Sequence, residues 1–224
     1  MRKHFSLPLL AATTLALAAC SNKKVTPEAY SGFLKDYSVL TEHQSPSGQT
    51  VLSWVSPTLK VQRYTQVYIE PSQFYPQPLP SERIPQTTLS DTTWYYDAVL
   101  KHELGKVLHV VTKPGPNTLI VRPAITGVTA STQSLRYYEW LPITLVAAGV
   151  STATGIRDQD SEIATEVLFL DGGTKAVVAE VVRKGTGVPL ENDQQVITTA
   201  NVKSVLDGWA SDLRNSYVAM RNKQ

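Results

Sequence analysis

Two neighbouring stretches with a period of two constrain the fold of this chain more than any other feature. In residues 162–169, polar or small positions alternate with larger apolar or β-branched ones, and the same alternation returns in residues 176–184. Between them stands Asp171-Gly172-Gly173. A period of two is typical of a strand with one buried face, and a short glycine turn joins two such strands into a hairpin. The sequence therefore predicts a sheet with one face that must be covered.

The C-terminal residues can supply that cover. From Thr199, a predicted N-cap, apolar residues recur at helical spacing: Val202, Val205, Leu206, Trp209, Leu213, Tyr217 and Met220. This spacing predicts an amphipathic helix that packs on the sheet. A second helix is predicted from Asp91, as cap, to Leu104, with Gly105 ending it.

The remaining segments complete a single α+β domain. Strands are predicted at 50–56, 63–69, 108–112 and 118–128, and Pro123 in the last one implies a sheet edge or a bulge. A brief helix is predicted from Pro27 to about Leu34, and the prolines between residues 71 and 85 predict a stiff connector. The order of these elements predicts a mixed or antiparallel sheet with helices packed on one face.

The N-terminus has the three-part layout of a secretory signal. Basic residues follow Met1, an apolar stretch runs from Phe5 to Ala19, and small side chains precede Cys20. The apolar stretch is shorter than the roughly 20 residues that span a bilayer. We therefore expect residues 1–19 to be removed, residues 20–27 to form a tether, and residues 28–224 to form the domain.

The motif Leu17-Ala18-Ala19-Cys20 resembles the lipobox of bacterial lipoproteins at every position. The resemblance implies that the Cys20 thiol carries diacylglycerol and that its new amino group is acylated, for instance by palmitate. Each buried methylene contributes about 0.8 kcal/mol, so three chains would hold the protein at a membrane. By the sorting rule that this resemblance implies, Ser21 in place of aspartate favours the outer membrane over the inner one, with the domain at the periplasmic face.

Cys20 is the only cysteine, so the mature domain has no internal disulfide and depends on its core for stability. Loss of residues 1–19 removes Arg2 and Lys3 from 21 basic residues, which leaves 19 against 19 acids. A nearly neutral domain lacks the positive field that drives nucleic-acid binding. We therefore expect no nucleic acid among its partners.

Several separated stretches form a pattern that spans nearly the whole mature chain. They are Ser31-Gly32-Phe33-Leu34, Asp36-Tyr37-Ser38, Arg63-Tyr64, Val67-Tyr68-Ile69-Glu70-Pro71, Gly115-Pro116, Leu119 to Thr126, Leu141-Pro142, Ala153-Thr154-Gly155, Trp209-Ala210 and Leu213-Arg214. In this order and spacing they resemble the uncharacterised Gram-negative outer-membrane lipoproteins that carry domain of unknown function 3313. The resemblance implies an outer-membrane lipoprotein and carries over no activity.

Candidate metal and cofactor sites are weak. His102-Glu103 resembles the start of a zinc-protease motif, but Lys106 stands where the second histidine is needed, and His109 follows the helix-ending glycine. Asp158, Asp160 and Glu162 alternate without a glycine-containing ligand loop, so they are interpreted as a solvated acidic start of a strand rather than a calcium site. No metal and no cofactor is predicted.

The most apolar part of the mature chain is the segment 141–156. Pro142, Gly149 and Gly155 interrupt it, so a buried connection or core helix is the simpler interpretation. The alternative is a surface loop that binds a partner or dips into the membrane. The partner-binding candidates in that case are Tyr137, Tyr138, Trp140, Leu145 and Val146.

Three functional hypotheses follow. The leading one is a non-catalytic accessory or scaffold lipoprotein that binds another envelope protein. The second is a cell-wall hydrolase that uses carboxylates such as Asp158 and Glu162. The third is a carrier of a small apolar ligand in a pocket lined by residues 141–156.

Overall fold

The computed structural model describes residues 30–131, 159–192 and 194–223. These residues form one eight-stranded mixed sheet and two long helices, which confirms the predicted α+β fold. The elements are β1 (Thr41–Gln44), β2 (Thr50–Val55), β3 (Gln66–Ile69), β4 (Gln73–Phe74), α1 (Gln86–Leu104), β5 (His109–Val110), β6 (Thr118–Ser131), β7 (Gln159–Asp171), β8 (Val177–Leu190) and α2 (Thr199–Lys223).

The sheet has the order β1-β2-β8-β7-β6-β3-β5, and β4 lies beside β6 beyond the end of β3. The predicted hairpin is confirmed as β7 and β8, an antiparallel pair in which Val167 lies opposite Val181. Its second strand continues to Leu190, six residues beyond the predicted end at Lys184. By contrast, β3 and β4 run parallel to β6.

Pro123 lies in the middle of the sheet rather than at its edge, and a bulge follows it between Ile125 and Gly127. The carbonyls of Val121 and Ile125 accept bonds from Glu70 N and Tyr75 N, each at 2.9 Å. Because strand residues alternate in direction, the nitrogen of Pro123 points to the same side, where the chain leaves the sheet between β3 and β4. The proline therefore removes no hydrogen bond from the ladder.

Two helix predictions need correction. The first long helix begins at Gln86, directly after Pro85, and not at Asp91. In its first turns the buried residues include Thr88 and Thr92. The Thr88 hydroxyl donates to Ile197 O, and the Thr92 hydroxyl donates to Thr88 O. Because these buried residues are polar, the sequence shows no apolar stripe at the start of the helix.

The described part of the predicted helix at residues 27–34 is not helical. Gly32 has a φ of +86°, a left-handed conformation that favours glycine. Its amide and that of Leu34 donate to the Tyr37 hydroxyl, at 2.8 and 3.2 Å. These local side-chain bonds replace the helical ones.

Both helices pack on one face of the sheet, where the larger core lies. Ile125, Val167 and Val181 from the strands meet Leu100 of α1 and Leu206 of α2 in this core. Strand and helix come very close at Gly187, where an added Cβ would lie 2.0 Å from Asn201 O.

A smaller core lies on the opposite face of the sheet, which we call the helix-free face. Residues 30–40 cover part of it. Leu34 packs there against strand residues that alternate along the chain with those of the larger core. The buried members of this core are Leu34, Leu52, Ile120, Leu168, Leu170 and Val182.

Candidate functional site

Charged side chains are buried on the helix-free face, although the sequence placed them on a solvated side. Glu162 is only 1% exposed, so the predicted solvated start of the strand is wrong at this position. Its charge is compensated because Lys184 Nζ lies 3.0 Å from Glu162 Oε2. Asp158 lies outside the described residues, so its place relative to Glu162 stays a prediction.

Glu166, also buried, holds the N-terminal segment on the sheet. Its carboxylate accepts a bond from Ser31 N at 3.0 Å and one from the Tyr37 hydroxyl at 2.6 Å. Burial, together with the bond to Glu166, raises the pKa of Tyr37 to about 12. The Tyr37 ring in turn stacks on Tyr30, with ring centroids 4.1 Å apart.

Glu180 is the buried acid without matching compensation. It is 7% exposed, and its Oε2 has no hydrogen-bond partner among the residues that the structure describes. It lies opposite Trp54 on β2, and its neighbour Val182 lies opposite Glu166. Burial raises the pKa of Glu180, and the negative charges of Asp36 and Glu166 raise it further. The group is therefore disposed to bind a proton.

Glu162 is one of the two carboxylates named for the hydrolase hypothesis, and in the structure it is paired with Lys184. A general acid or base must come within hydrogen-bond reach of the substrate. The carboxylate of Glu162 is committed to Lys184, and that of Glu166 to Ser31 and Tyr37. The two bonds to Glu166 fix residues 30–40, the N-terminal segment, to β7.

A groove of about 400 Å³ lies between α1 and α2 on the other side of the domain. A polar network closes one side, because the Tyr95 hydroxyl donates to Asp207 and Lys203 Nζ lies 3.0 Å from Asp207 Oδ2. The lining residues are Tyr95, Ala98, Val99, His102, Glu103 and Asp207.

Glu103, which also lines this groove, has its negative charge compensated by two cations. Lys106 Nζ and Arg214 Nη1 each lie 2.5 Å from its carboxylate. The bond from Lys106, with the nearby Arg214 charge, lowers the pKa of Glu103. His102 is largely exposed, and His109 lies on β5, at the edge of the sheet. Within residues 30–131, 159–192 and 194–223, no three His, Cys, Asp or Glu side chains are grouped for a metal ion.

Trp94 has 72% of its surface exposed and directly precedes Tyr95, which lines the groove, although Trp94 is not itself a lining residue. Successive helical residues point about 100° apart, so the indole lies on the solvent-facing side of α1, next to the groove. The sequence analysis did not single out Trp94. Its exposure could have been predicted, because this tryptophan does not lie on the apolar stripe formed by Tyr96, Leu100 and Leu104.

The other candidate residues cannot be placed in this geometry. Cys20 and the segment 141–156 lie outside the described residues, as do Tyr137, Tyr138, Trp140, Leu145 and Val146. In the part of the chain that is described, neither helix is long and apolar enough to cross a bilayer.

Comparison with solved structures finds similarity to small bacterial proteins. Hypothetical protein CT253 from Chlamydia trachomatis has a TM-score of 0.46 at 8% identity, over 70% of this chain and 99% of that chain. Lipoprotein GNA1162 from Neisseria meningitidis has a TM-score of 0.36 at 10% identity, over 69% of this chain and 99% of that chain.

Comparison of sequences gives a more specific result. The uncharacterized lipoprotein YdcL of Escherichia coli strain K12 is 38% identical over 198 residues, which cover 88% of this chain and 89% of the relative. The protein of the same name from strain O157:H7 matches equally. This similarity to lipoproteins points to a lipid anchor. A family model described as "Protein of unknown function (DUF3313)" matches residues 29–213. The chain therefore belongs to the DUF3313 family and is related to uncharacterised lipoproteins.

Proposed function

We propose that this protein is an outer-membrane lipoprotein, anchored through acylated Cys20 at the periplasmic face, that serves as a non-catalytic adaptor. It binds another envelope protein through Trp94 and the groove between α1 and α2. The observation that carries the adaptor role is the 72% exposure of Trp94 on a helix whose opposite face is packed into the core.

The position of Trp94 supports this role in two ways. Tryptophan is among the residues that contribute most to protein interfaces, and it does so when it fills a pocket on the partner. α1 is held by the core through Tyr96, Leu100 and Leu104, so the indole is presented by a rigid element. An aromatic group fixed in this way loses little conformational entropy on binding.

Surrounding charges make the same surface selective. The groove has Glu103 and Asp207 on its walls, with Lys203, Lys106 and Arg214 bound to them. A partner therefore meets an apolar centre with a polar border of both signs, which is the usual anatomy of a protein interface. The hydrolase and carrier hypotheses depend on Asp158 and on residues 141–156, and no described contact favours either.

The anchor is tested by substituting its cysteine. Cys20→Ser removes the acceptor of the diacylglyceryl group, so we expect the chain to leave the outer-membrane fraction and to keep its signal. Mass spectrometry of the N-terminal peptide from the wild-type protein should show an acylated Cys20 as the first residue. An uncut chain with a free thiol would contradict the anchor.

The partner surface is tested by site-specific photocrosslinking in intact cells. A photoreactive amino acid at Trp94 is expected to capture an envelope protein, whereas the same group at exposed Val188 on β8 serves as the control. Equal capture at both positions, or none at Trp94, would contradict the proposed surface. Capture at Trp140 alone would place the interface in the segment around residues 137–146 instead.

A further inference from the structure

A proline-rich loop on the domain carries exposed apolar side chains near Tyr30, where the described chain begins. We call residues 75–81 the proline loop; it follows β4 and leads toward α1. Leu79 is 66% exposed, and Tyr75 is also exposed. From residue 71 to residue 81 the sequence contains no charged side chain, whereas Glu70 and Glu82 flank it. Such a surface enters a lipid interface without desolvating an ion.

The proline loop lies close to the point where the described chain begins. The Tyr75 ring contacts Phe33 edge to face, with ring centroids 5.5 Å apart. Phe33 follows Tyr30 by three residues, and Tyr30 is fixed by its stack on Tyr37. Tyr30, where the described chain begins, therefore lies on the same side of the domain as the proline loop.

Chain length restricts how far this side can lie from the membrane. Tyr30 is ten residues after Cys20, and this length of chain spans at most about 35 Å when fully extended. If Cys20 is acylated, Tyr30 stays within about 35 Å of the bilayer, and the neighbouring proline loop stays near it. A tethered contact becomes intramolecular, so even weak affinity of Leu79 for lipid is enough to populate it.

We propose that the proline loop is a membrane contact, in which Leu79 inserts into the lipid interface and Tyr75 lies at the level of the headgroups. Tyrosine is enriched at that level because its ring is apolar and its hydroxyl remains hydrated. The loop gives the anchored domain a preferred orientation on the bilayer. This inference rests on the proposed acylation of Cys20.

A single added cysteine tests the contact. In the mature lipoprotein the Cys20 sulfur is blocked, so Leu79→Cys provides one reactive thiol for an environment-sensitive dye. The matched control is Val55→Cys, an exposed apolar site on β2, which is separated from β4 by β8, β7 and β6. Both full-length proteins are placed in vesicles of phosphatidylethanolamine and phosphatidylglycerol that contain spin-labelled lipid.

We expect spin-labelled lipid to quench the dye at position 79 at least about twofold more than the dye at position 55, because only position 79 reaches the acyl boundary. Equal quenching at both positions, in protein that floats with the vesicles, overturns the membrane contact and leaves the anchor intact. Wild-type protein treated with the same dye reports on the anchor. If it becomes labelled at Cys20 and fails to float, the anchor and the membrane contact are both overturned.

Discussion

Replacing Glu180 by glutamine should stabilise the protein at neutral pH. Glutamine keeps the shape of the side chain and removes its charge. The native carboxylate is 7% exposed, and its Oε2 has no hydrogen-bond partner among the described residues. A buried polar atom without a partner costs about 1–3 kcal/mol, and a charged one costs more. Because glutamine leaves a polar atom in place, we expect the free energy of unfolding to rise by about 1 kcal/mol, or about 2–4 °C in melting temperature.

The effect should depend on pH in a defined direction. Burial and the charges of Asp36 and Glu166 raise the pKa of Glu180 in the folded state. A raised pKa means that the folded protein holds this proton more tightly than the unfolded chain does. The stability that the proton contributes is complete below the unfolded pKa of about 4.3 and is lost as the pH rises through the folded pKa. The advantage of Glu180→Gln should therefore be largest near neutral pH and shrink toward pH 4.

Thermal melts of the full-length protein in detergent, at several pH values, measure this advantage. Glu166→Gln is the matched control, because that carboxylate accepts bonds from Ser31 N and Tyr37 and should lose about 1.5–3 kcal/mol instead. A lower melting temperature for Glu180→Gln at neutral pH would refute the reasoning. It would mean that the carboxylate is bound by a stabilising group.

Three further substitutions test the described packing. Asp212→Ala should cost about 3–5 kcal/mol in denaturant unfolding, since it leaves the buried Arg183 without the carboxylate now 3.0 Å away; a loss below about 1 kcal/mol would contradict this. Gly187→Ala should lower the free energy of unfolding by about 1–3 kcal/mol, because the new Cβ would force Asn201 O away from a 2.0 Å contact; an unchanged melting temperature would be the opposing result. Trp94→Ala should change stability by less than about 0.5 kcal/mol, because the side chain is exposed, while abolishing capture of the partner; a large destabilisation would identify Trp94 as a packing residue.

The sequence predicted best those elements whose periodicity matches their burial. α2 places Val202, Leu206 and Tyr217 in the core at the expected spacing, and β7 does so for Val167 and Phe169. Each of these elements has one apolar face that must be buried, so its pattern survives in the sequence. The order of the strands in the sheet could not be predicted in this way, because strands pair with partners that are distant in the sequence.

The errors arise where polar groups are buried with local partners. α1 begins five residues before the predicted Asp91, in a stretch where the buried Thr88 and Thr92 bond to backbone carbonyls. Apolar periodicity cannot reveal buried polar residues of this kind. Glu162 and Glu166 lie on the side of β7 that its sequence pattern makes polar, yet both are buried. Lys184 pairs with Glu162, and Ser31 and Tyr37 donate hydrogen bonds to Glu166. A polar residue in a strand therefore indicates a solvent-exposed position only when no other segment supplies it with a buried partner.

One of these buried acids, Glu166, explains how residues 30–40, the N-terminal segment, are fixed to the sheet. Apolar contacts of Leu34 on the helix-free face are non-directional and allow the N-terminal segment to slide. Glu166 prevents this, because it accepts bonds from a backbone amide and from a hydroxyl that itself accepts two amides. Directional bonds of this kind specify one position, which a purely apolar contact does not. In the proposed anchored form, the bonds around Glu166 would therefore help to set which side of the domain faces the membrane.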